Sequence, residues 1–303
     1  MQHTNHLLMI QPVKFSFNAE TAVNNSFQTK SDQSNVQEKA RAEFEQFIQV
    51  LRAHAIDVTV VEDTPDPHTP DSIFPNNWIS FHDNGSICLY PMFAINRRLE
   101  RKPTVLAKLQ ERFLIKQTHD FTAFENEQLF LEGTGSMVLD RPNRLAYACL
   151  SERTNATVLE AFCKTMQYKA VAFVAVDSSG DPIYHTNVMM CVADQYVVIC
   201  LDSIADLAEQ DMVKASIIES GKDIIDISLD QMNRFAGNML QVHNANNERF
   251  LVMSSQAYQS LTPAQISQIN QYNPIIHSDI TTIETNGGGS ARCMMAEIFL
   301  PLK

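Results

Sequence analysis

Residues 286–293 read NGGGSARC, and residues 294–301 continue at once as the apolar run MMAEIFLP. Three of the nine glycines in a 303-residue chain therefore stand in a row just ahead of a cysteine. Glycine admits positive φ and lets backbone approach a ligand closely, at an entropic cost to folding. A glycine run before a strand can equally mark a plain tight turn. The residue at the end of the loop separates the two readings. A thiol next to Arg292, at the start of an expected strand whose N–H groups are still free, lies where the thiolate is favoured. The run nominates Cys293 as a nucleophile.

The loop-to-strand pattern recurs upstream. Strand-like runs appear at DVTVVED, WISF, SICLYP, SMVLD, LAYACL, AVAFVAVD, VMMCV, YVVICL, DIIDIS, NMLQVH, FLVMSS and PIIHS. Apolar residues at i, i+3 and i+4 predict a helix over 35–54, with Phe44, Phe47, Ile48 and Leu51 on one face, and further helices near 103–116, 154–167, 204–220 and 262–271. Helices spaced in this way, each flanked by strands, suggest four or five similar units in an α/β chain. Periodicity alone leaves open whether the units form an open sheet or a ring. No linker or low-complexity segment divides the sequence, so one domain over 1–303 is expected. The polar stretch around 24–36 reads as a surface loop.

The formal charge of -12 and pI near 5.2 argue against a nucleic-acid partner, because phosphate contacts need clustered Lys and Arg. No run has the length of a membrane span, and the first residues lack a basic n-region and a cleavage site, which predicts a cytoplasmic protein. The six cysteines show neither CxxC nor zinc spacing, so no metal site and no disulfide framework is signalled. Five of them lie in apolar runs and read as buried small hydrophobes.

A cysteine nucleophile needs a histidine for proton transfer and a third group to orient it. Of nine histidines, only His185, in GDPIYHTNVMMCV, sits at the mouth of a strongly apolar strand. The others lie in polar or turn-like contexts and read as mostly solvated. Glu132, in LFLEGTGSMVL, occupies a comparable junction between two apolar runs. Three strand mouths thus each offer one member of a Cys/His/carboxylate set.

Five segments, in order, resemble the signatures of the guanidine-modifying enzymes, which include arginine deiminase, dimethylarginine dimethylaminohydrolase and the amidinotransferases. PDSIFPNN resembles Pro-Asp-Ser-Val-Phe-x-x-Asp, LEGTG resembles Leu-Glu-Gly-Gly-Asp, and LSERTN resembles Leu-Ser-x-Arg-Thr-Asn. HTN stands at the place of His-x-Asp, and NGGGSARCM is similar to Gly-Gly-Gly-x-x-Arg-Cys-Met. The resemblance covers nearly the whole chain. It implies a pentein-type α/β propeller of five ββαβ units with pseudo-fivefold symmetry. It also implies an enzyme of non-peptide C–N bonds that uses no metal or organic cofactor. Cys293 would attack a planar carbon bonded to nitrogen, His185 would protonate the leaving nitrogen and then activate water, and Glu132 would hold charge and orientation beside them. Arg153 would grip a substrate α-carboxylate. Arg97 or Arg98 would supply a second arginine, Asp71 a substrate-side acid, and Asn76 and Asn77 the end of the first motif. Asn238, in FAGNMLQVHN, also resembles a family position and is read as structural. A small amino-acid substrate follows as the partner; a homo-oligomer is left open.

Two departures bear on the substrate. Where the family carries aspartates that bracket a guanidinium cation, this chain has Asn77 and Asn187. Charge-assisted hydrogen bonds contribute about 1.5–3 kcal/mol each, and a buried cation left half-compensated costs several more. An amide keeps the shape and adds N–H donors, which suits a neutral ureido group. L-citrulline, hydrolysed towards ornithine, is the expected substrate, and the chain most resembles the citrulline utilisation hydrolase subgroup. LEGTG also lacks the family's aspartate after the second glycine. The rivals are an arginine deiminase, a dimethylarginine dimethylaminohydrolase-like enzyme or an amidinotransferase, and, in another class, a non-catalytic binding protein on the same fold.

Overall fold

In a computed structural model, residues 1–31 and 35–303 are described. Among them, fifteen strands form five three-stranded sheets. Each sheet repeats one plan: an antiparallel pair, a helix, then a third strand parallel to the middle one. In the first, β15 (Ala296–Ile298) runs antiparallel to β1 (His6–Gln11), and α1 (Val36–Ala53) leads to β2 (Asp57–Glu62), parallel to β1. The second comprises β3 (Ile79–Phe81), β4 (Ser86–Leu89), α2 (Pro103–Gln110) and β5 (Gln117–Asp120). The third has β6 (Val138–Asp140), β7 (Leu145–Cys149), α3 (Ala156–Met166) and β8 (Lys169–Phe173). The fourth has β9 (Met190–Val192), β10 (Tyr196–Ile199), α4 (Leu207–Glu219) and β11 (Asp223–Asp226). The fifth has β12 (Leu240–His243), β13 (Arg249–Ser254), α5 (Pro263–Asn270) and β14 (Ile275–Ser278). These are five ββαβ units, the repeat that the resemblance implies.

Local chemistry explains the elements. The buried stripe of α1 is Ala40, Phe44, Phe47, Ile48 and Leu51, the face that its i, i+3, i+4 spacing predicts. Asp206 caps α4 through the N–H groups of Ala208 and Glu209, and Thr262 with Gln265 closes a capping box on α5. All four residues of β10, Tyr-Val-Val-Ile, are buried, as a strand covered on both faces requires.

The structure departs from the sequence reading in several places. β1, built on the buried apolar run Leu7–Ile10, and β5 are strands outside the runs named above. β5 is the polar run Gln-Thr-His-Asp and is held by its parallel pairing with β4, not by burial. The helix expected over 103–116 stops at Gln110, because Phe113 turns into the core and bridges to Leu302. β15 begins at Ala296, not at Cys293. Residues Ala291–Met294 form a helical turn, and the Cys293 N–H, expected to be free, donates to the Ser290 carbonyl at 3.0 Å. In the stretch read as a surface loop over 24–36, Asn25 and Gln28 are buried, while 32–34 lie outside the described residues.

One regularity places the site. A short helical turn precedes the first strand of four units: Pro75–Asn77, Gly133–Ser136, Thr186–Met189 and Ala291–Met294. In the fifth unit, Gly237 and Asn238 stand directly ahead of Met239 and β12. These first strands lie beside one another, β15 with β3, β6 with β9 and β9 with β12, so the turns above them converge.

Candidate active site

The convergence brings together residues far apart in sequence. Cys293, 3% exposed, receives N–H groups on Sγ from Asn238 Nδ2 at 3.3 Å and from Asn187 Nδ2 at 3.5 Å. Asn238 is anchored twice more: Nδ2 donates to the Asn187 carbonyl at 2.8 Å, and Oδ1 accepts the Arg292 backbone N–H at 2.9 Å. His185 Nε2 lies 2.8 Å from Glu132 Oε2, and the other carboxylate oxygen accepts the Phe93 N–H at 2.9 Å. The imidazole is thereby oriented, with Nδ1 on the side of Gly135. A Cβ added at Gly135 would come within 2.4 Å of Asn77 Nδ2 and 2.8 Å of His185 Nδ1. A side chain there would press on both groups.

The glycine run works by close approach. Gly288 has φ +63°, and a Cβ there would meet Asn25 Nδ2 at 2.5 Å. Its carbonyl accepts from the Tyr184 hydroxyl at 2.6 Å and from Asn25 Nδ2 at 3.2 Å, while Gln28 Nε2 donates to the Asn286 carbonyl at 2.8 Å. The N-terminal segment around 18–28 is thus laid over the glycine loop and forms one wall of the site.

Charges are paired within the site. Arg153 is buried, not the surface residue that a helix start would allow. Its guanidinium donates to Asn24 Oδ1 and the Thr21 carbonyl, stands 3.7 Å from Glu132 Oε2 and packs over the Tyr184 ring. Arg97 is buried too, with Nε and Nη2 on Glu100 and Nη1 on Asn77 Oδ1 at 2.9 Å. Burial alone would raise the Glu132 pKa, but Arg153, the His185 hydrogen bond and Arg97 outweigh it and hold the carboxyl down at about 2. Burial lowers His185 to about 4 against the pull of Glu132, so at neutral pH the imidazole is uncharged and Nε2–H donates to the carboxylate. Burial raises Asp71; its Oδ2 accepts from Asn18 and Thr21, and its Oδ1 has no partner.

Some nominated residues lie elsewhere. Arg98 does not line the cavity at Cys293, because its guanidinium turns to the Met92 and Phe93 carbonyls and to Glu125. Asn76 is buried behind Asn77 against Thr134. Arg292, adjacent to the thiol in sequence, points away to the Met295 carbonyl and Glu297. Among the histidines read as mostly solvated, His82 is buried beside Ser80. Asn238, read as structural, touches Sγ. The signal that finds it is the repeat, because it occupies in the fifth unit the pre-strand position that Asn77, Asn187 and Cys293 occupy in others.

A narrow cavity is lined by Asp71, Asn77, Arg97, Arg153, His185 and Cys293. A wider recess of about 420 Å³ adjoins it, sharing Asn25, Arg153 and Tyr184. Among the described residues, no group of three or more His, Cys, Asp or Glu side chains is arranged to hold a metal ion, and no helix is long and apolar enough to cross a membrane. The profile of the family described as N,N dimethylarginine dimethylhydrolase, eukaryotic, matches residues 11–300. The chain belongs to this family. It is a C–N hydrolase of the guanidine-modifying pentein superfamily. Among solved structures, ArgZ, an arginine dihydrolase from the ornithine-ammonia cycle in cyanobacteria, aligns over 98% of this chain at 17% identity with a TM-score of 0.76. This chain spans 41% of the length of that protein. The N-terminal domain of ArgZ, bound to product, aligns over 98% of this chain and 99% of its own at 18% identity and a TM-score of 0.75. A dimethylarginine dimethylaminohydrolase adduct with 4-chloro-2-hydroxymethylpyridine covers 98% of this chain and 100% of its own at 16% identity and 0.66. At these identities the likeness shows the fold. No curated protein sequence matches the chain.

Proposed function

We propose that the chain hydrolyses the ureido group of L-citrulline, with Cys293 as nucleophile, His185 as proton carrier and Glu132 as its orienting anion. The observation that carries this reading is a set of buried polar atoms without partners: Asn77 Nδ2, Asn187 Oδ1 and Asp71 Oδ1. Asn77 Oδ1 is committed to Arg97, which fixes the unpaired atom as an N–H donor. A buried donor or acceptor left unmade costs about 1–3 kcal/mol, offset when a ligand supplies the partner. A ureido group has a carbonyl for Asn77 and an N–H for Asn187. The remaining Asp71 oxygen suits an α-ammonium group, and Arg153 and Arg97 supply the positive field for an α-carboxylate.

In this mechanism Sγ adds to the ureido carbon as its proton passes to His185 and the C=O pair moves onto oxygen. The intermediate collapses, the terminal nitrogen takes the proton from His185 and leaves as ammonia, and a thiocarbamate remains on Cys293. Water then adds with His185 as base, the C–S bond breaks, and the sulfur is released. The carbamic acid so formed loses carbon dioxide to give ornithine.

Arginine is the second reading, favoured by the free oxygen of Asp71, since an unpaired carboxylate oxygen also suits a cation. Incubating the purified protein separately with citrulline and arginine, with Cys293→Ala as blank, decides the matter by amino-acid analysis and ammonia release. Ornithine from citrulline supports the first reading. Turnover of arginine with inert citrulline replaces it with the second.

A further inference from the structure

We infer that the side-chain amides of Asn187 and Asn238 together form an anion-stabilising clamp on Cys293 Sγ, which lets the thiol ionise without help from a cationic substrate. The inference rests on the proposed cysteine chemistry and deepens it.

Among the described residues, the two hydrogen bonds to Sγ come from Asn238 Nδ2 at 3.3 Å and Asn187 Nδ2 at 3.5 Å. His185 is engaged elsewhere, with Nε2 on Glu132 and Nδ1 on the side of Gly135 and Asn77. Other charged or titratable groups lining the same cavity are Asp71, Arg97, Arg153 and Tyr184, with Glu132 buried behind them against His185, Arg97 and Arg153. Arg97 and Arg153 are already tied to Glu100, Glu132 and backbone or amide oxygens, and Arg292 is turned to Glu297. Among the described residues, the cations of the site are thus hydrogen-bonded to other partners, and the amide donors are what meet the sulfur.

The chemistry gives the clamp its purpose. A cationic guanidinium brought against a thiol favours its anion by charge alone, whereas a neutral ureido group brings no charge. A carboxylate at 187 would oppose the sulfur anion, while an amide there donates to it. Asn238 completes the pair and is held in place by its bonds to the Asn187 carbonyl and the Arg292 N–H. As ionisation proceeds, the S–H bond breaks, the proton leaves to solvent, and the two N–H groups strengthen onto sulfur.

The test is the pH dependence of Cys293 ionisation in the intact, ligand-free protein. It is read from ultraviolet thiolate absorbance, with Cys293→Ala subtracted, and from the rate of alkylation by iodoacetamide. Asn238→Ala removes one donor, and the isosteric Asn187→Asp replaces the other with a carboxylate. Both should move the midpoint upward and slow alkylation at neutral pH by about tenfold or more, the effect of one hydrogen bond to a charged atom. A melting curve establishes that each variant is folded. Midpoints unchanged in both folded variants would overturn the clamp. Citrulline turnover is measured separately. Failure there with shifted midpoints removes the proposed substrate and leaves the clamp, while turnover with unshifted midpoints does the reverse.

Discussion

Two halves of the site differ in how their polar groups are satisfied. On the charged side, Glu132, His185, Arg153, Arg97 and Glu100 bond to one another, and a ligand is not needed to complete them. On the amide side, Asn77 and Asn187 each keep an atom without a partner, and Asn187 and Asn238 turn their N–H groups to sulfur. The charged half is a preformed frame that fixes a neutral imidazole, and the amide half is where recognition remains open. Buried charges are costly unless paired, so they pair with each other; amides tolerate an interim vacancy at far lower cost.

The comparison can be broken most severely at its centre. Cys293→Ala is expected to reduce ornithine formation by on the order of a thousandfold or more, and appreciable turnover in that variant would end the covalent mechanism. Next comes the charged frame. Glu132→Gln removes the anion that holds both His185 and Arg153; turnover should fall about a hundredfold or more, and a denaturant titration should show about 3 kcal/mol of lost stability from the broken buried pair. Were stability untouched, the frame would be less interdependent than its distances indicate.

Changes on the amide side should alter preference more than fold. Asn77→Asp places a carboxylate where the unpaired donor stands, and the ratio of kcat/KM for citrulline to that for arginine should fall about tenfold to a hundredfold. A parallel loss on both substrates would show that Asn77 only supports Arg97. Gly135→Ala probes the seam between the halves: its Cβ would press on both the Asn77 amide and the His185 ring, so activity should drop about tenfold, with about 1–3 kcal/mol of overpacking strain.

The smallest effect is on acid tolerance. His185 is lowered from 6.5 to about 4, so its neutral form contributes stability in full above pH 6.5, and this is lost as pH falls through about 4. Glu132, lowered from 4.5 to about 2, contributes above pH 4.5 and loses that contribution as pH falls through about 2. Both therefore weaken the fold towards acid, while Glu100, raised by burial to about 7, contributes below 4.5 and loses its share as pH rises through 7. Melting temperatures across pH check the sign, and an acid limb of activity near pH 6.5 instead of 4 would show that His185 is not held neutral.

Much of this arrangement is legible in residue order. The Cys293, His185 and Glu132 junctions stand out because each couples a polar residue to the start of an apolar strand, and that coupling survives whatever the loops do. Asn238 shares the junction but carries no chemistry of its own in a linear reading, since asparagine is common in turns. Arg97 and Arg98 are neighbours that only a helical turn can send in different directions, one into the cavity and the other to Glu125. Arg292 illustrates the converse: adjacency to the thiol in sequence suggests electrostatic help, and the turn over Ala291–Met294 carries its side chain away.

By itself, then, the order of residues determined the repeating strand-helix units and the junctions where chemistry would appear, because apolar periodicity and glycine placement act over a few residues. The tertiary structure alone decided which amides meet the sulfur, which arginine enters the cavity and which polar atoms remain unpaired there. Those outcomes depend on distances between units as far apart in the chain as Asp71 and Cys293, and such distances are fixed by how five sheets pack, not by any local preference of the chain.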